Sequence, residues 1–245
     1  MSDKKTMLLT GASRGIGHAT VKHFSAAGWR VLTVSRQPFD DNCPWPEGRD
    51  NHIQLDLADI DSMDAGIEQI RRRLKSPRLD AIVNNAGISP KLPGSGRMGV
   101  LVSDFATWSR VFNVNLFSTA LLARGLFAEL KAAKGLIVNV TSIAGSRVHP
   151  FAGVAYATSK AALSALTREM AHEFGPHGIR VNSIAPGEID TSILSPGTEE
   201  IVAQQIPMRR LGKSEEVAAA IYFFSTAGAA YINGSEMHIN GGQHV

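Results

Sequence analysis

Met7-Leu8-Leu9-Thr10-Gly11-Ala12-Ser13-Arg14-Gly15-Ile16-Gly17 decides the fold. A short apolar run passes directly into a glycine-rich turn and then into an amphipathic helical pattern, which reads as strand, turn and helix start. Glycine lets the backbone turn sharply and approach a pyrophosphate, whose charge then faces the free N–H groups and positive end of the helix. The spacing departs from G-x-G-x-x-G, because three residues separate the first two glycines and one separates the last two. The dinucleotide fingerprint is therefore met in context and not in letter.

Outward from this turn, short apolar runs alternate with longer helical patterns, at 7–10, 30–35, 53–57, 80–84, 136–141, 180–185 and 237–239. Each is rich in Val, Ile and Leu without alternation, as strands covered on both faces are. A parallel sheet with helices on both sides follows, an α/β architecture. Helices are predicted with Asp61 before 62–75 and with Ser214 before the acidic Glu215-Glu216, while Gly175-Pro176 ends another. The two longest are predicted over 104–134 and 155–174. Loops over 89–103 and 187–207, the latter with Pro196, Gly197 and Pro207, are long for such a domain and read as functional or disordered. No linker-like break divides the chain, so residues 1–245 are expected to form one domain.

The 245 residues are 44% hydrophobic and 19% charged, which excludes a disordered chain. A net charge of +3 gives no dense basic surface, so no nucleic-acid partner is expected. Cys43 is the lone cysteine, the first residues carry no signal-like apolar segment, and no stretch approaches a membrane span. The expected compartment is the cytoplasm. Eight histidines form no ligand motif, His172 and His177 merely straddling a helix end, and no metal site is expected.

Asn84-Asn85-Ala86-Gly87 follows the fourth run, at a carboxyl end where ligands of open α/β sheets collect. Tyr156 and Lys160 lie four apart at a helix start, hence on one face. Ser142 ends the preceding strand, and Asn115 falls within the long helix.

Taken together, these residues resemble the short-chain dehydrogenase/reductase family over essentially the whole chain. Thr-Gly-x-x-x-Gly-x-Gly at 10–17, Asp56-Leu57, Asn-Asn-Ala-Gly at 84–87, Asn115, Ser142, Tyr-x-x-x-Lys at 156–160 and Pro-Gly-x-Ile-x-Thr at 186–191 occur in the family's order. The glycine spacing is similar to that of the simple, non-extended branch. Tyr231-Ile232-Asn233-Gly234 and Asn240-Gly241-Gly242 look most like the 3-oxoacyl-[acyl-carrier-protein] reductases. Ser142 and Tyr156 are 14 positions apart, one more than in many relatives, which bears on the substrate side of the pocket.

The resemblance implies a doubly wound domain with seven parallel strands in the order 3-2-1-4-5-6-7, and reversible hydride transfer between a nicotinamide and a ketone or secondary alcohol. Tyr156 would exchange the proton at the substrate oxygen, Ser142 would hydrogen-bond that oxygen, Lys160 would hold the nicotinamide ribose and lower the Tyr156 pKa, and Asn115 would complete a proton relay through water. Cofactor contacts would come from Gly11, Ser13, Arg14, Gly15, Ile16, Gly17, Ser35, Arg36, Asp56, Leu57, Asn84, Ala86, Gly87, Tyr156, Lys160, Pro186, Gly187, Ile189 and Thr191. It also implies a homotetramer, built on the two long helices and the C-terminal strand region. The loop over about 188–207 is expected to close over substrate as a lid.

NADP is the expected cofactor. A carboxylate after the second strand would accept hydrogen bonds from the adenosine ribose and repel a 2′-phosphate, whereas this chain carries Ser35-Arg36 there, with Arg14 in the glycine turn. The substrate is a small carbonyl compound or alcohol, a 3-oxoacyl group among the candidates; sugar, polyol and steroid-like alcohols are alternatives, as is a non-catalytic NADP-binding regulator. Lys131, Lys134, Lys91 and Arg97 are candidate docking residues for an acidic acyl-carrier protein.

Overall fold

Leu8 and Leu32 lie side by side on one face of the central sheet, Met7, Leu9 and Val31 on the other, and all five are fully buried. Apolar runs without alternation are what a sheet covered on both faces demands. The computed structural model describes residues 4–40, 45, 48–191 and 197–245. Cys43 and Pro196, with part of the loop expected over 187–207, lie outside the described residues.

The strands among the described residues are β1 (Thr6–Thr10), β2 (Arg30–Ser35), β3 (His52–Gln54), β4 (Ala81–Asn84), β5 (Leu136–Val140), β6 (Arg180–Pro186), β7 (Ile189–Asp190), β8 (Gly212–Lys213) and β9 (Glu236–Ile239). Seven of them form one parallel sheet in the order β3-β2-β1-β4-β5-β6-β9, the order expected. β7 and β8 make a separate two-stranded parallel pair that no sequence pattern announced. The third strand is shorter than expected. After one further bond, Leu55 N–H to the Ser35 carbonyl at 2.9 Å, the chain leaves the sheet and carries Asp56 and Leu57 toward the carboxyl edge.

The helices are α1 (Gly15–Ala26), α2 (Gly48–Asn51), α3 (Met63–Arg73), α4 (Phe105–Phe112), α5 (Ser118–Gly125), α6 (Phe127–Ala133), α7 (Val154–Phe174), α8 (Thr198–Gln205) and α9 (Ser214–Phe223). Val21 and Phe24 of α1 with Val217 and Ile221 of α9 cover one face of the sheet. Ile67 and Ile70 of α3, Leu122 of α5 and Met170 of α7 cover the other. Truncating such a fully buried leucine or isoleucine to alanine costs about 2–5 kcal/mol.

The helix expected over 104–134 is not continuous. α4 starts at a capped end, where the Asp104 carboxylate accepts from Thr107 N–H at 2.8 Å, and then widens into one π-turn, Asn113–Phe117, before α5. Near Leu126 the axis bends by 63° into α6. The widened turn has a local cause: Asn115 is drawn inward to the backbone of Ile88, accepting from its N–H at 2.8 Å and donating to its carbonyl at 3.1 Å. Asp61 is not a cap, because a 3-10 turn, Ile60–Ser62, precedes α3. Lys213 takes the start position of α9, its N–H donating to Glu216 at 2.7 Å. No single helix among the described residues is long and apolar enough to cross a membrane.

Between β1 and β4 the strand order reverses, and the loops that follow these neighbouring strands diverge to opposite sides. A crevice opens there at the carboxyl edge.

Candidate active site

The crevice is a cleft of about 700 Å³ at the carboxyl ends of β1, β2, β4, β5 and β6. Its dinucleotide-sized half is shaped by absent side chains. Gly11 has φ +71, and a Cβ there would stand 2.8 Å from Ala86 Cα. A Cβ on Gly17 would stand 2.0 Å from the Gly11 carbonyl oxygen. The first turn of α1 is thus pressed against the end of β1 closely enough that only glycine fits.

The turn is held from the next strand. Thr10 Oγ1 accepts from the N–H groups of Asn85 and Ala86, each at 3.1 Å, while Asn85 Nδ2 donates to the carbonyls of Thr10 and Gly11 at 3.2 and 2.8 Å. α1 begins with no side-chain cap and no acidic residue in its first turn. Its N–H groups and positive end therefore face the cleft, as an anion site requires. Gly11, Ser13, Arg14, Gly15, Ile16 and Gly17 all line this half, with Ser35 and Arg36 after β2, Asp56 and Leu57 after β3, and Ala86 and Gly87 after β4. A phosphate-bearing dinucleotide fits this set: backbone donors, a cradle that any Cβ would fill, and two exposed arginines, Arg14 and Arg36, on the rim.

Two expected residues stand elsewhere. Asn84 is absent from the cleft wall; it is buried within the sheet, its amide donating to Asn139 at 2.9 Å, and its neighbour Asn85 takes the place at the cleft. Asn115 is likewise fully buried behind the wall, its amide also donating to Ser159 at 3.0 Å. It fixes Ile88, beside Gly87, without facing the cavity. Ser35 lines the cleft, but its hydroxyl proton goes to the Gln37 carbonyl at 2.9 Å instead of outward.

The reacting half is built by β5, α7 and the segment after β6. Ser142 sits one residue beyond Thr141 at the end of β5, its Oγ accepting from Ala144 N–H at 3.2 Å. Tyr156 and Lys160 come from the first two turns of α7, on one face, with the ammonium 5.8 Å from the phenol ring centre. Ser142 and Tyr156 line the same cleft, and the Ser142 hydroxyl acts on the phenol. Pro186 ends β6, and Gly187, Ile189 and Thr191 after it close the floor, Thr191 packing 3.1 Å from where a Gly15 Cβ would stand.

The electrostatics correct one expectation. Lys160 was expected to lower the Tyr156 pKa; instead the phenol is pushed up, mainly by burial and further by the charge of Glu188, with the Ser142 hydrogen bond opposing. Lys160 is itself buried, its Nζ donating to the Val140 carbonyl at 2.6 Å, and burial brings it down to about 8. Desolvation is the leading cause for both groups.

Sequence reasoning missed the wall facing Tyr156. His149, Glu188 and Phe151 line it together with Lys91. Glu188 occupies the variable position of Pro-Gly-x-Ile-x-Thr, and His149 lies in the loop with one extra residue, so both had a signal. Lys91, expected on a docking surface, instead donates to the Phe151 carbonyl at 2.7 Å inside the cleft. Lys131 and Lys134 end α6 just before β5 begins, at the amino edge of the sheet and opposite the cleft, so they cannot frame its entrance. Among the described residues no three of His, Cys, Asp or Glu converge to hold a metal ion.

The family described as enoyl-(acyl carrier protein) reductase matches residues 11–244. Protein FixR of Bradyrhizobium diazoefficiens is 59% identical over 244 residues, covering 99% of this chain and 88% of its own. A 3-oxoacyl-[acyl-carrier-protein] reductase, FabG, of Pseudomonas aeruginosa is 34% identical, covering 98% of each. Among solved structures, a short-chain dehydrogenase/reductase family oxidoreductase from Brucella ovis, in complex with a partially ordered NAD, superposes with a TM-score of 0.85 at 58% identity, covering 97% of this chain and 100% of that one. With this likeness running the length of a cleft built as described, the chain belongs to the short-chain dehydrogenase/reductase family of oxidoreductases.

Proposed function

We propose that the chain is an NADP(H)-linked reductase that interconverts a ketone and a secondary alcohol, acting as one domain over 1–245 in a cytoplasmic homotetramer. The observation that carries the reading is the convergence of Ser142 and Tyr156 on one point of the cleft, with Lys160 one helical turn behind. When bound, the nicotinamide supplies or accepts the hydride.

Every other step belongs to the chain's own groups. The raised pKa keeps the Tyr156 phenol protonated near neutral pH, so it donates its proton to the oxygen on which negative charge develops. Ser142 hydrogen-bonds the same oxygen and fixes its position. Lys160, still mostly protonated at neutral pH with a pKa of about 8, supplies positive charge beneath the phenol and a donor for ribose hydroxyls. Asn115 acts as a positioning residue: by holding Ile88 it fixes the Gly87 backbone, where an added Cβ would stand 3.4 Å from Lys160 Nζ. Gly11, Ser13, Gly15, Ile16, Asp56, Leu57 and Ala86 would hold the dinucleotide, and Pro186, Gly187, Ile189 and Thr191 its nicotinamide end.

Arg14 and Arg36, exposed on the rim without a carboxylate at the end of β2, favour NADP(H). The NAD in the Brucella ovis structure belongs to that protein. The tetramer is favoured by apolar side chains on the helices in question: Ala161 and Ala165 of α7 are exposed, and Phe105 of α4 and Phe117 beside α5 are 86% and 47% exposed. Retention of Tyr156 and Lys160 favours an enzyme over a non-catalytic regulator. NADPH consumption across a panel of ketones, aldehydes and acyl thioesters, repeated with NADH, is the test; no turnover of any compound with either cofactor would overturn the reading.

A further inference from the structure

The wall facing Tyr156 carries a carboxylate that the proposed chemistry does not use. Glu188 sits directly after Gly187 at the turn from β6 into β7, where its backbone is fixed: its carbonyl accepts from Gly212 N–H at 2.9 Å, and Gly187 N–H donates to Ile239 at 3.1 Å. Its side chain is only 12% exposed. Oε1 accepts from His149 Nε2 at 2.5 Å.

His149 does not neutralise it. The Nδ1 atom of His149 accepts from Phe151 N–H at 3.2 Å, so the hydrogen-bond pattern assigns the ring proton to Nε2 and leaves the imidazole uncharged. Lys91, which lines the same cleft, acts on Glu188 through its charge without coming within ion-pairing distance, and among the described residues no hydrogen bond to Oε2 is found. A carboxylate oxygen on the cleft wall that takes no hydrogen bond from the described residues is available to a donor on a bound molecule. It lines the same cleft as Tyr156, and its charge acts on the phenol.

We propose that Glu188, aimed by His149, is a specificity-determining residue that accepts a hydrogen bond from an O–H or N–H donor on the carbon next to the reacting carbonyl. The substrate is then an α-hydroxy or α-amino ketone, or the alcohol made from it. A plain acyl chain would leave Oε2 desolvated and unpaired, so a 3-oxoacyl thioester is disfavoured here. This rests on the reading of the cleft as a ketone-reducing site.

The test uses three ring ketones of one size: cyclohexanone, its α-hydroxy derivative and its α-amino derivative, with acetoacetyl-CoA as a fourth arm. At least one donor-bearing ketone should exceed cyclohexanone in kcat/KM by about tenfold or more, the size of a hydrogen bond to a charged group. Glu188→Gln keeps an oxygen for His149 but turns the free acceptor into a donor, and it should cut that ratio at least about tenfold. Which derivative responds distinguishes hydroxyl from ammonium. A second readout involves no chemistry: calorimetric binding of the same ketones to the wild type loaded with oxidised NADP, a dead-end pair, should show the same preference. If wild type turns nothing over yet binds the donor-bearing ketones preferentially, the reductase reading falls while Glu188 stands as the acceptor of a ligand's O–H or N–H donor. Turnover without donor preference, preference for acetoacetyl-CoA over the donor-bearing ketones, or a ratio unchanged in Glu188→Gln would overturn it.

Discussion

Gly17→Ala tests the cradle most directly. The added Cβ would lie 2.0 Å from the Gly11 carbonyl oxygen, 2.9 Å from its carbon and 2.7 Å from Asn85 Nδ2. Carbon and oxygen need a separation of at least about 3 Å, so α1 and the end of β1 must part by about 1 Å. Gly11 has little room to yield: its N–H donates to the Val34 carbonyl at 3.1 Å, and its own carbonyl accepts from Asn85 at 2.8 Å. Overpacking against such a backbone costs about 3 kcal/mol, the upper end for one added carbon, and lowers Tm by roughly 6–12 °C in a chain of this size. The same displacement pulls the α1 N–H groups from the anion position, so NADPH affinity should fall at least about tenfold. Gly28→Ala is the control. Gly28 also lies in the left-handed region, φ +83, but no atom lies within 4 Å of its added Cβ, so it should lose about 1–2 kcal/mol of stability while NADPH affinity holds. Thermal melting and NADPH fluorescence titration measure both quantities. A Gly17→Ala protein that melts within about 2 °C of wild type and binds NADPH within about twofold would refute the packing argument.

Tyr156→Phe should lower kcat by at least about 100-fold while leaving NADPH binding within a few fold; retention of a tenth of the wild-type rate would remove the phenol from the chemistry. Arg36→Asp should erase or reverse an NADP(H) preference of at least about tenfold in kcat/KM, and equal use of both cofactors by wild type would show that the arginine pair does not read the phosphate. Lys160 is held at about 8 when folded against its ordinary 10.5, so between these pH values the unfolded chain binds more protons and stability rises with pH. Wild type should gain up to about 2 kcal/mol on Lys160→Met between roughly pH 7.5 and 9.5 in urea titrations, and a constant difference would contradict a buried, desolvated ammonium. Light scattering should return the mass of four chains at micromolar concentration, and a monomer mass would sink the tetramer.

The sheet was legible because both of its faces are covered, which removes alternation from strands such as Leu8-Leu9 and Val31-Leu32 and leaves a pattern that few other arrangements produce. The glycine turn was legible because a backbone contact at Gly11 and Gly17 admits one residue type. The break in the long helix was not, since its cause is a pair of hydrogen bonds between Asn115 and Ile88, 27 positions away. Nor was the placement of Asn84 against Asn85: adjacent residues of a strand point to opposite sides, and which one meets the cleft depends on register with Asn139. The wall of Glu188, His149 and Lys91 stayed hidden because its members lie as much as 97 positions apart and meet only once β4, β5 and β6 stand side by side.

The two halves of the cleft are made of different material, and this decides how each can change over evolutionary time. Around Gly11, Gly15 and Gly17 the nucleotide half is mostly main chain, so neutral drift in side chains scarcely touches it while nearly any new side chain at those glycines ruins it. The other half is drawn in side chains carried by loops, where one substitution at Glu188 or His149 rewrites the chemistry offered to a substrate and leaves the sheet beneath intact. Divergence among relatives that share this scaffold is therefore channelled: the currency of electrons is inherited, and the molecule being reduced is renegotiated a residue at a time.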